Sequence, residues 1–174
     1  LYAVFPDSFR RCSQTARIHP KILRLQSLPR GRHIPFVVVP TTAGTGSECT
    51  GVAVIRNDDN GVKMEFLSPY VEPDVAVVDP RMTMGLPPKA TATTGMDALS
   101  HAVESYTNHT YNTHIENDMA KKAVKLIYDN ILTVYADGSN LEARQNMQYA
   151  ALYAGRSFTR GCVGHVHAIG HTLG

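Results

Sequence analysis

Two segments of the sequence carry metal-ligand side chains four residues apart. Asp97 and His101 form one pair, and His167 and His171 form the other. On an α-helix, residues i and i+4 lie on the same face, so each pair can point at one ion. A carboxylate oxygen combined with imidazole nitrogens suits Zn²⁺ or Fe²⁺ better than Ca²⁺ or Mg²⁺. The spacing therefore predicts metal-assisted chemistry.

The second segment is unusually rich in histidine. Three of the eight histidines in the chain, at positions 165, 167 and 171, fall within seven positions among apolar or small residues. Helices of a hydrophobic core seldom contain so many, which strengthens the metal interpretation. Taken alone, the Asp97–His101 pair has a simpler explanation, a helix cap beside an incidental histidine. No glutamate follows His167, so the H-E-x-x-H motif of zinc proteases is absent, and spacing alone does not rank His167 above His171.

A loop of small and hydroxyl-bearing residues forms a second candidate site. Residues 41–48 follow the short apolar run 34–40, so they lie at the carboxyl end of a predicted strand, where open α/β sheets bind ligands. Its hydroxyls and exposed backbone amides suit a phosphate or substrate, although an ordinary polar turn has the same composition. The loop matches neither the Walker A motif nor G-x-G-x-x-G. Lys63 is predicted nearby across a hairpin, as a point charge for phosphate, unless it is a solvated strand residue.

The surrounding sequence predicts sheet first and helices afterwards. Residues 34–40 and 74–80 are apolar runs typical of buried strands, and residues 51–56 and 62–67 flank a strong turn typical of a hairpin. Beyond Leu86 the apolar period becomes helical. Helices are expected over residues 90–106, 117–135, 141–154 and 164–173, the first with Thr93 or Thr94 as its N-cap.

Composition narrows the class of protein. The chain has 174 residues, of which 43% are hydrophobic and 18% charged, as in globular rather than disordered proteins. No apolar run approaches the roughly 20 residues of a membrane span, and no signal-peptide pattern follows Leu1. We therefore expect a cytoplasmic protein with no membrane partner. Cys12, Cys49 and Cys162 are odd in number and widely spaced, which predicts free thiols.

Basic residues are concentrated at the start of the chain. Residues 1–32 contain seven Lys or Arg residues and only one acidic residue, Asp7, although the net charge of the chain is +2. A basic arm can bind nucleic acid. Three prolines and the lack of a repeated basic helical face favour a solvated, irregular lead-in instead, so no nucleic-acid partner is expected.

Five stretches, in this order and spacing, resemble the iron-containing (group III) alcohol dehydrogenase family, which includes lactaldehyde reductases and butanol dehydrogenases. They are PTTAGTGSE (40–48), PDVAVVDP (73–80), LPPK (86–89), TGMDALSHAVE (94–104) and GHVHAIGHTLG (164–174). The resemblance covers residues 34–174, and residues 1–32 show none.

The resemblance implies a two-part fold of the dehydroquinate synthase-like type, a partial Rossmann-like α/β part followed by an all-helical part, with a metal in the cleft between them. The expected divisions are a divergent basic lead-in (1–32), a partial nucleotide-binding domain (33–85) and a partial helical metal-binding domain (86–174). The family's glycine-rich pyrophosphate loop and its last metal histidine do not occur in the sequence. We therefore expect a truncated fragment from the middle of such an enzyme.

The resemblance also implies roles for individual residues. Asp97, His101 and His167 would bind Fe²⁺ or Zn²⁺, while His171 would line the substrate cleft and act as a proton relay. The positions that match cofactor contacts, or lie beside them, are Thr41, Thr42, Gly46, Ser47 and Lys63. The cofactor would be NAD or NADP.

The implied activity is the interconversion of a small alcohol and its aldehyde or ketone by hydride transfer, with the metal polarising the substrate oxygen. A homo-oligomer is expected, because a severed sheet leaves apolar faces exposed. The alternatives are a related glycerol dehydrogenase or maleylacetate reductase, an inactive fragment of such an enzyme that is unstable or serves only as an interaction module, and a metallohydrolase. A hydrolase is disfavoured because it has no use for the threonine–glycine loop.

Overall fold

The computed structural model describes residues 35–56, 63–67, 71–109 and 111–173. The predicted basic lead-in and the predicted turn at residues 57–61 lie outside these ranges. Within them, strands occupy the first part of the chain and long helices the second. The predicted order, an α/β part followed by an all-helical part, is confirmed, and the exact domain boundaries stay predictions.

The first pair of strands is short and parallel. Strand β1 (Val37–Val38) pairs with β4 (Val75–Ala76) in the register Val37↔Val75 and Val38↔Ala76. The prediction that both strands are buried is wrong, because Val37 is 54% exposed and Val75 48%. Parallel strands are buried when neighbouring strands and helices cover them. Within the described ranges, β1 and β4 pair only with each other.

The second pair is the predicted hairpin. Strand β2 (Val52–Arg56) pairs antiparallel with β3 (Lys63–Leu67), from Val52↔Leu67 to Arg56↔Lys63. Phe66 is buried and Val54 is 43% exposed, as expected for a hairpin with one covered face.

All four predicted helices are present. They are α1 (Pro88–Thr107), α2 (His114–Ala136), α3 (Leu141–Gly161) and α4 (His165–Leu173). Helix α1 starts earlier than predicted because proline fits the first helical position. The predicted cap at Thr93 or Thr94 is therefore wrong. Both hydroxyls lie inside the helix and donate to the carbonyl of Ala90.

Polar caps begin the next two helices. Thr113 and Glu116 form a capping box at the start of α2. The side chain of Asn140 accepts a hydrogen bond from the backbone N–H of Ala143 at 2.9 Å, where α3 begins. Helix α3 continues to Gly161, beyond the predicted end at residue 154, because the apolar face that it buries extends to Phe158.

Helices α1, α2 and α3 form a close-packed core built largely on alanine. Alanines with no exposed surface occur on all three: Ala98, Ala102, Ala120, Ala123, Ala150 and Ala154. Small side chains let helix axes approach closely, and Ile127 and Met147 fill the remaining space. This core fixes helix α1, which carries the first predicted ligand pair. In the described part of the chain, no helix is both long enough and apolar enough to cross a bilayer.

A buried arginine ties the start of α1 to α3. Arg144 is 2% exposed, and its guanidinium donates to the carbonyls of Gly138 (2.9 Å) and Leu86 (3.1 Å) and to the hydroxyl of Thr91 (2.8 Å). These bonds satisfy a charge that would otherwise be costly to bury.

Candidate metal centre

Helices α1 and α4 bring three predicted ligands together. One ligand atom each from Asp97, His101 and His167 lies within 4.8 Å of the other two. Oδ1 of Asp97 is 3.5 Å from Nε2 of His167 and 4.0 Å from Nε2 of His101. Ligand atoms about 2.1 Å from a tetrahedral ion lie roughly 3.4 Å apart. The three side chains therefore fit a small divalent cation, and a simple cap by Asp97 is excluded because this residue lies well inside α1.

His101 is held by ring contacts. It is 7% exposed and lies between two rings, with its centroid 4.3 Å from Phe158 and 4.2 Å from His167. Burial lowers the pKa of His101 to about 4, against the opposing effect of Asp97. The ring is therefore neutral at pH 7 and has a lone pair for a cation. Its Nδ1 atom is buried, and a backbone hydrogen bond between the ring and Gly44 also opposes the fall in pKa.

Two carboxylates flank His167. Its Nε2 faces Asp97, and its Nδ1 forms a hydrogen bond with the carboxylate of Glu104. The hydrogen bond to Asp97 raises the pKa of His167 above its usual value. Burial alone would lower this pKa, and the hydrogen bond with Glu104 raises it further. Burial by itself would raise the pKa values of Asp97 and Glu104. The hydrogen bonds with His167 and the nearby positive charges outweigh burial, so both pKa values are lowered and both groups are ionised at neutral pH.

Glu104 is the site residue that sequence reasoning missed. It is 9% exposed and lies seven positions after Asp97, on the same face of α1. The i, i+4, i+7 pattern of Asp97, His101 and Glu104 is the signal that would have found it. The carboxylate also accepts the backbone N–H of Val166 at 2.6 Å. Glu104 thus contacts both α4 and a candidate ligand.

The remaining histidines of α4 lie further from the three ligands. The ring of His171 is tilted 55° to that of His167, with centroids 6.0 Å apart, and His171 is half-buried. It does not belong to the group of ligand atoms within 4.8 Å of one another. His165 is exposed. Geometry therefore separates His167 from His171, which spacing alone could not do.

The predicted cofactor loop lies against α1 and α3. Thr41 and Ser47 are exposed and Thr42 is half-buried. The expected exposure of the glycine amides is wrong, because Gly44 and Gly46 are buried. Because they lack a side chain, these two glycines let the loop pack closely against the helices.

Both glycines touch helices directly. A Cβ at Gly44 would lie 2.7 Å from the carbonyl oxygen of Thr94 on α1. Gly46 has a φ of 62°, which favours glycine, and a Cβ there would lie 2.6 Å from Cα of Gly155 on α3. Gly44 thus packs the loop against the helix that carries Asp97, and Gly46 packs it against α3. Lys63 lies at the start of β3 opposite Arg56, and its contact with the loop stays a prediction.

Comparison with known proteins identifies the class. Residues 11–80 match the model of iron-containing alcohol dehydrogenases, and residues 91–174 match the model of the C-terminal part of the same family. The chain belongs to the iron-containing alcohol dehydrogenase family. The first match begins at residue 11, upstream of the limit at residue 34 that the sequence motifs suggested.

Several relatives share most of this chain. It is 41% identical to alcohol dehydrogenase 4 of Saccharomyces cerevisiae over 141 residues, which are 81% of this chain and 37% of that protein. It is 45% identical to 1,3-propanediol dehydrogenase of Klebsiella pneumoniae over 140 residues, 80% of this chain and 36% of that protein. The chain thus spans little more than a third of the length of these relatives.

A solved structure shows the same fold. The crystal structure of sulfoacetaldehyde reductase from Bifidobacterium kashiwanohense in complex with NAD+ matches with a TM-score of 0.82 and 38% identity. The match covers 91% of this chain and 41% of that chain. The predicted family architecture is confirmed for the described part of the chain.

Proposed function

We propose that this chain is the metal-binding portion of an NAD(P)-dependent oxidoreductase that interconverts a small alcohol and its aldehyde or ketone. The observation that carries the proposal is the convergence of Asp97, His101 and His167 from two helices. Family membership supports it, as do relatives named as propanediol, methanol and alcohol dehydrogenases. The site also places two carboxylates beside two imidazoles, and a hydrophobic core seldom contains so many ionisable side chains.

The three ligands would hold Fe²⁺ or Zn²⁺. When bound, such an ion supplies Lewis acidity that lowers the pKa of an alcohol, and NAD(P) supplies the hydride acceptor. The protein itself contributes a set of ligand atoms that is in place before the ion binds. His101 stays neutral because it is buried, and Asp97 stays ionised because it lies beside His167. Neither side chain needs to lose a proton at pH 7 before it can ligate.

The loop at residues 41–48 would contact the cofactor. Thr41 and Ser47 present exposed hydroxyls, and Ser47 is held by Thr45, whose hydroxyl is 3.0 Å from that of Ser47. Hydroxyls and a lysine suit phosphate oxygens. Within this proposal Thr42 and Lys63 supply further contacts, whereas the buried Gly46 shapes the loop.

His171 would carry the proton. It lies one helical turn beyond His167 on α4 and is half-buried. A histidine near a cation but outside its ligand set can exchange a proton with substrate near neutral pH. Self-association is part of the proposal as well, because valines on the parallel strand pair are exposed in the described part of the chain.

The test loads the purified chain with Fe²⁺ or Zn²⁺ and measures bound metal, NADH fluorescence and reduction of short-chain aldehydes. We expect one ion per chain, and loss of the ion in Asp97→Asn. The matched control is His165→Gln, which removes an exposed histidine of α4 and keeps the metal. Metal retained in D97N would contradict the site. Bound metal without any effect on NADH would leave only a metal-binding module.

A further inference from the structure

The carboxylate of Glu104 joins α1 to the first turn of α4. One oxygen accepts the backbone N–H of Val166 at 2.6 Å, and the other forms a hydrogen bond with Nδ1 of His167. Gly164 leaves room for this carboxylate, because a Cβ at that position would lie 3.0 Å from its Oε1. Two adjacent residues of α4 are thus held by one buried side chain of α1.

The contact decides which nitrogen of His167 can ligate. When Nδ1 donates its proton to Glu104, the lone pair of the ring is on Nε2, the atom that lies 3.5 Å from Oδ1 of Asp97. Metal-ligating histidines commonly donate their other N–H to a carboxylate, which fixes the tautomer and ring orientation. His101 is held differently, by stacking of its ring on Phe158 and by a backbone hydrogen bond with Gly44.

We propose that Glu104 is a positioning residue, which holds His167 in the form whose Nε2 faces the cation and docks α4 on α1. The proposal rests on the proposed function in one respect, the presence of a cation between Asp97, His101 and His167. Glu104 itself would not touch the metal or the substrate.

The side chain is matched to this task in length and in charge distribution. Two carboxylate oxygens accept from two donors, the Val166 N–H and the His167 Nδ1–H. Glutamine has almost the same shape but replaces one of the oxygens with an NH₂ group, which donates. In Glu104→Gln, one of the two hydrogen bonds must therefore be lost or reversed. If the amide NH₂ faces His167, the ring takes the opposite tautomer.

The experiment combines spectroscopy with metal affinity. Long-range ¹H–¹⁵N spectra of the wild-type chain are recorded without metal at about pH 9, where an ordinary histidine is neutral, and again with Zn²⁺. We expect Nδ1 of His167 to carry the proton in both spectra and Nε2 to be the metal-bound nitrogen. In E104Q we expect Zn²⁺ affinity to fall by about 10–100-fold, as for other outer partners of metal ligands.

The matched control is Glu142→Gln, which makes the same change at an exposed residue in the first turn of α3 and should leave the affinity unchanged. An E104Q chain that melts lower but binds Zn²⁺ as tightly as wild type would show a purely structural role and overturn the proposal. Zn²⁺ bound to Nδ1 in the wild type would overturn it too, even if E104Q failed to fold. If the wild type bound no Zn²⁺, the proposed function would fail, and the tautomer in the metal-free spectrum would still decide the role of Glu104.

Discussion

The imidazole rings of His101 and His167 stack with centroids 4.2 Å apart and planes inclined by 18°, although one belongs to α1 and the other to α4. Two protonated rings at this separation would repel each other. The two rings avoid this repulsion because their surroundings shift their pKa values in opposite directions. Burial lowers the pKa of His101 to about 4, whereas hydrogen bonds with Asp97 and Glu104 raise the pKa of His167. The pair therefore holds at most one proton charge at neutral pH.

This arrangement predicts the outcome of replacing His101 by phenylalanine. The variant keeps an aromatic ring between Phe158 and His167 but removes the ligating nitrogen. We expect Zn²⁺ affinity to fall by more than the roughly 10–100-fold typical of outer partners, with little change in the free energy of unfolding. Calorimetric titration with Zn²⁺ and urea unfolding measure the two quantities. Unchanged affinity in H101F would remove His101 from the ligand set.

His171 and His167 should respond differently to the same substitution. His171→Ala is expected to keep the metal and lose about 10²–10⁴-fold in turnover, the usual contribution of a general acid or base. His167→Ala is expected to lose the metal, because its Nε2 is among the three clustered ligand atoms. Metal analysis beside an aldehyde-reduction assay distinguishes the two. Equal loss of metal in both variants would make His171 a ligand.

Sequence patterns predicted the parts of the site that depend on local spacing. Asp97 and His101 share a helix face because both lie on α1, and the period of 3.6 residues is visible in the sequence. The contact of Glu104 with His167 was not predicted, because it depends on how α4 docks against α1. The burial of Gly46 was missed for a similar reason, since its partner Gly155 lies on α3. The exposed strands β1 and β4 show the same limit, because an apolar run does not reveal what covers it.

The contact between the loop and α3 predicts a steric effect at Gly155. A Cβ there would lie 2.6 Å from Sγ of Cys49 and 3.0 Å from Cα of Gly46. Gly155→Ala should therefore destabilise the fold by about 1–3 kcal/mol, in spite of the higher helix propensity of alanine. The control is Gly170→Ala on α4, where a Cβ meets nothing within 4 Å, and which should stabilise by up to about 1 kcal/mol. Equal effects of the two variants in urea unfolding would contradict the close packing.

Arg144 provides a test of the connection between α1 and α3. Lysine at this position keeps the charge but cannot reach the Gly138 and Leu86 carbonyls and the Thr91 hydroxyl together. Arg144→Lys should lower the free energy of unfolding by about 2–4 kcal/mol, since buried acceptors lose their donors. The control is Arg156→Lys. Arg156 pairs with Glu72 at the surface, where such pairs contribute about 0–1 kcal/mol. If Arg144→Lys lowered the free energy of unfolding no more than Arg156→Lys does, Arg144 would act through its charge alone.

Cys49 should be protected from alkylation. Its Sγ is buried and donates to the carbonyls of Gly46 at 3.3 Å and Leu152 at 3.4 Å. Burial raises the pKa of this thiol to about 12, and the Glu48 carboxylate adds to the effect. Because the thiolate is the reactive form, a pKa near 12 leaves a thiolate fraction on the order of 10⁻⁴ at pH 8.

Labelling with iodoacetamide at pH 8, followed by peptide mass spectrometry, compares Cys49 with the exposed Cys162. We expect Cys162 to react readily and Cys49 to react only when urea unfolds the chain. Because the folded pKa lies above that of an ordinary thiol, ionisation of Cys49 opposes folding as pH rises from about 9 toward 12. The labelling rate of Cys49 should thus increase with pH through this range, as the reactive thiolate forms. Equal labelling of both thiols at pH 8 would mean that the loop opens from α3 within the time of the reaction.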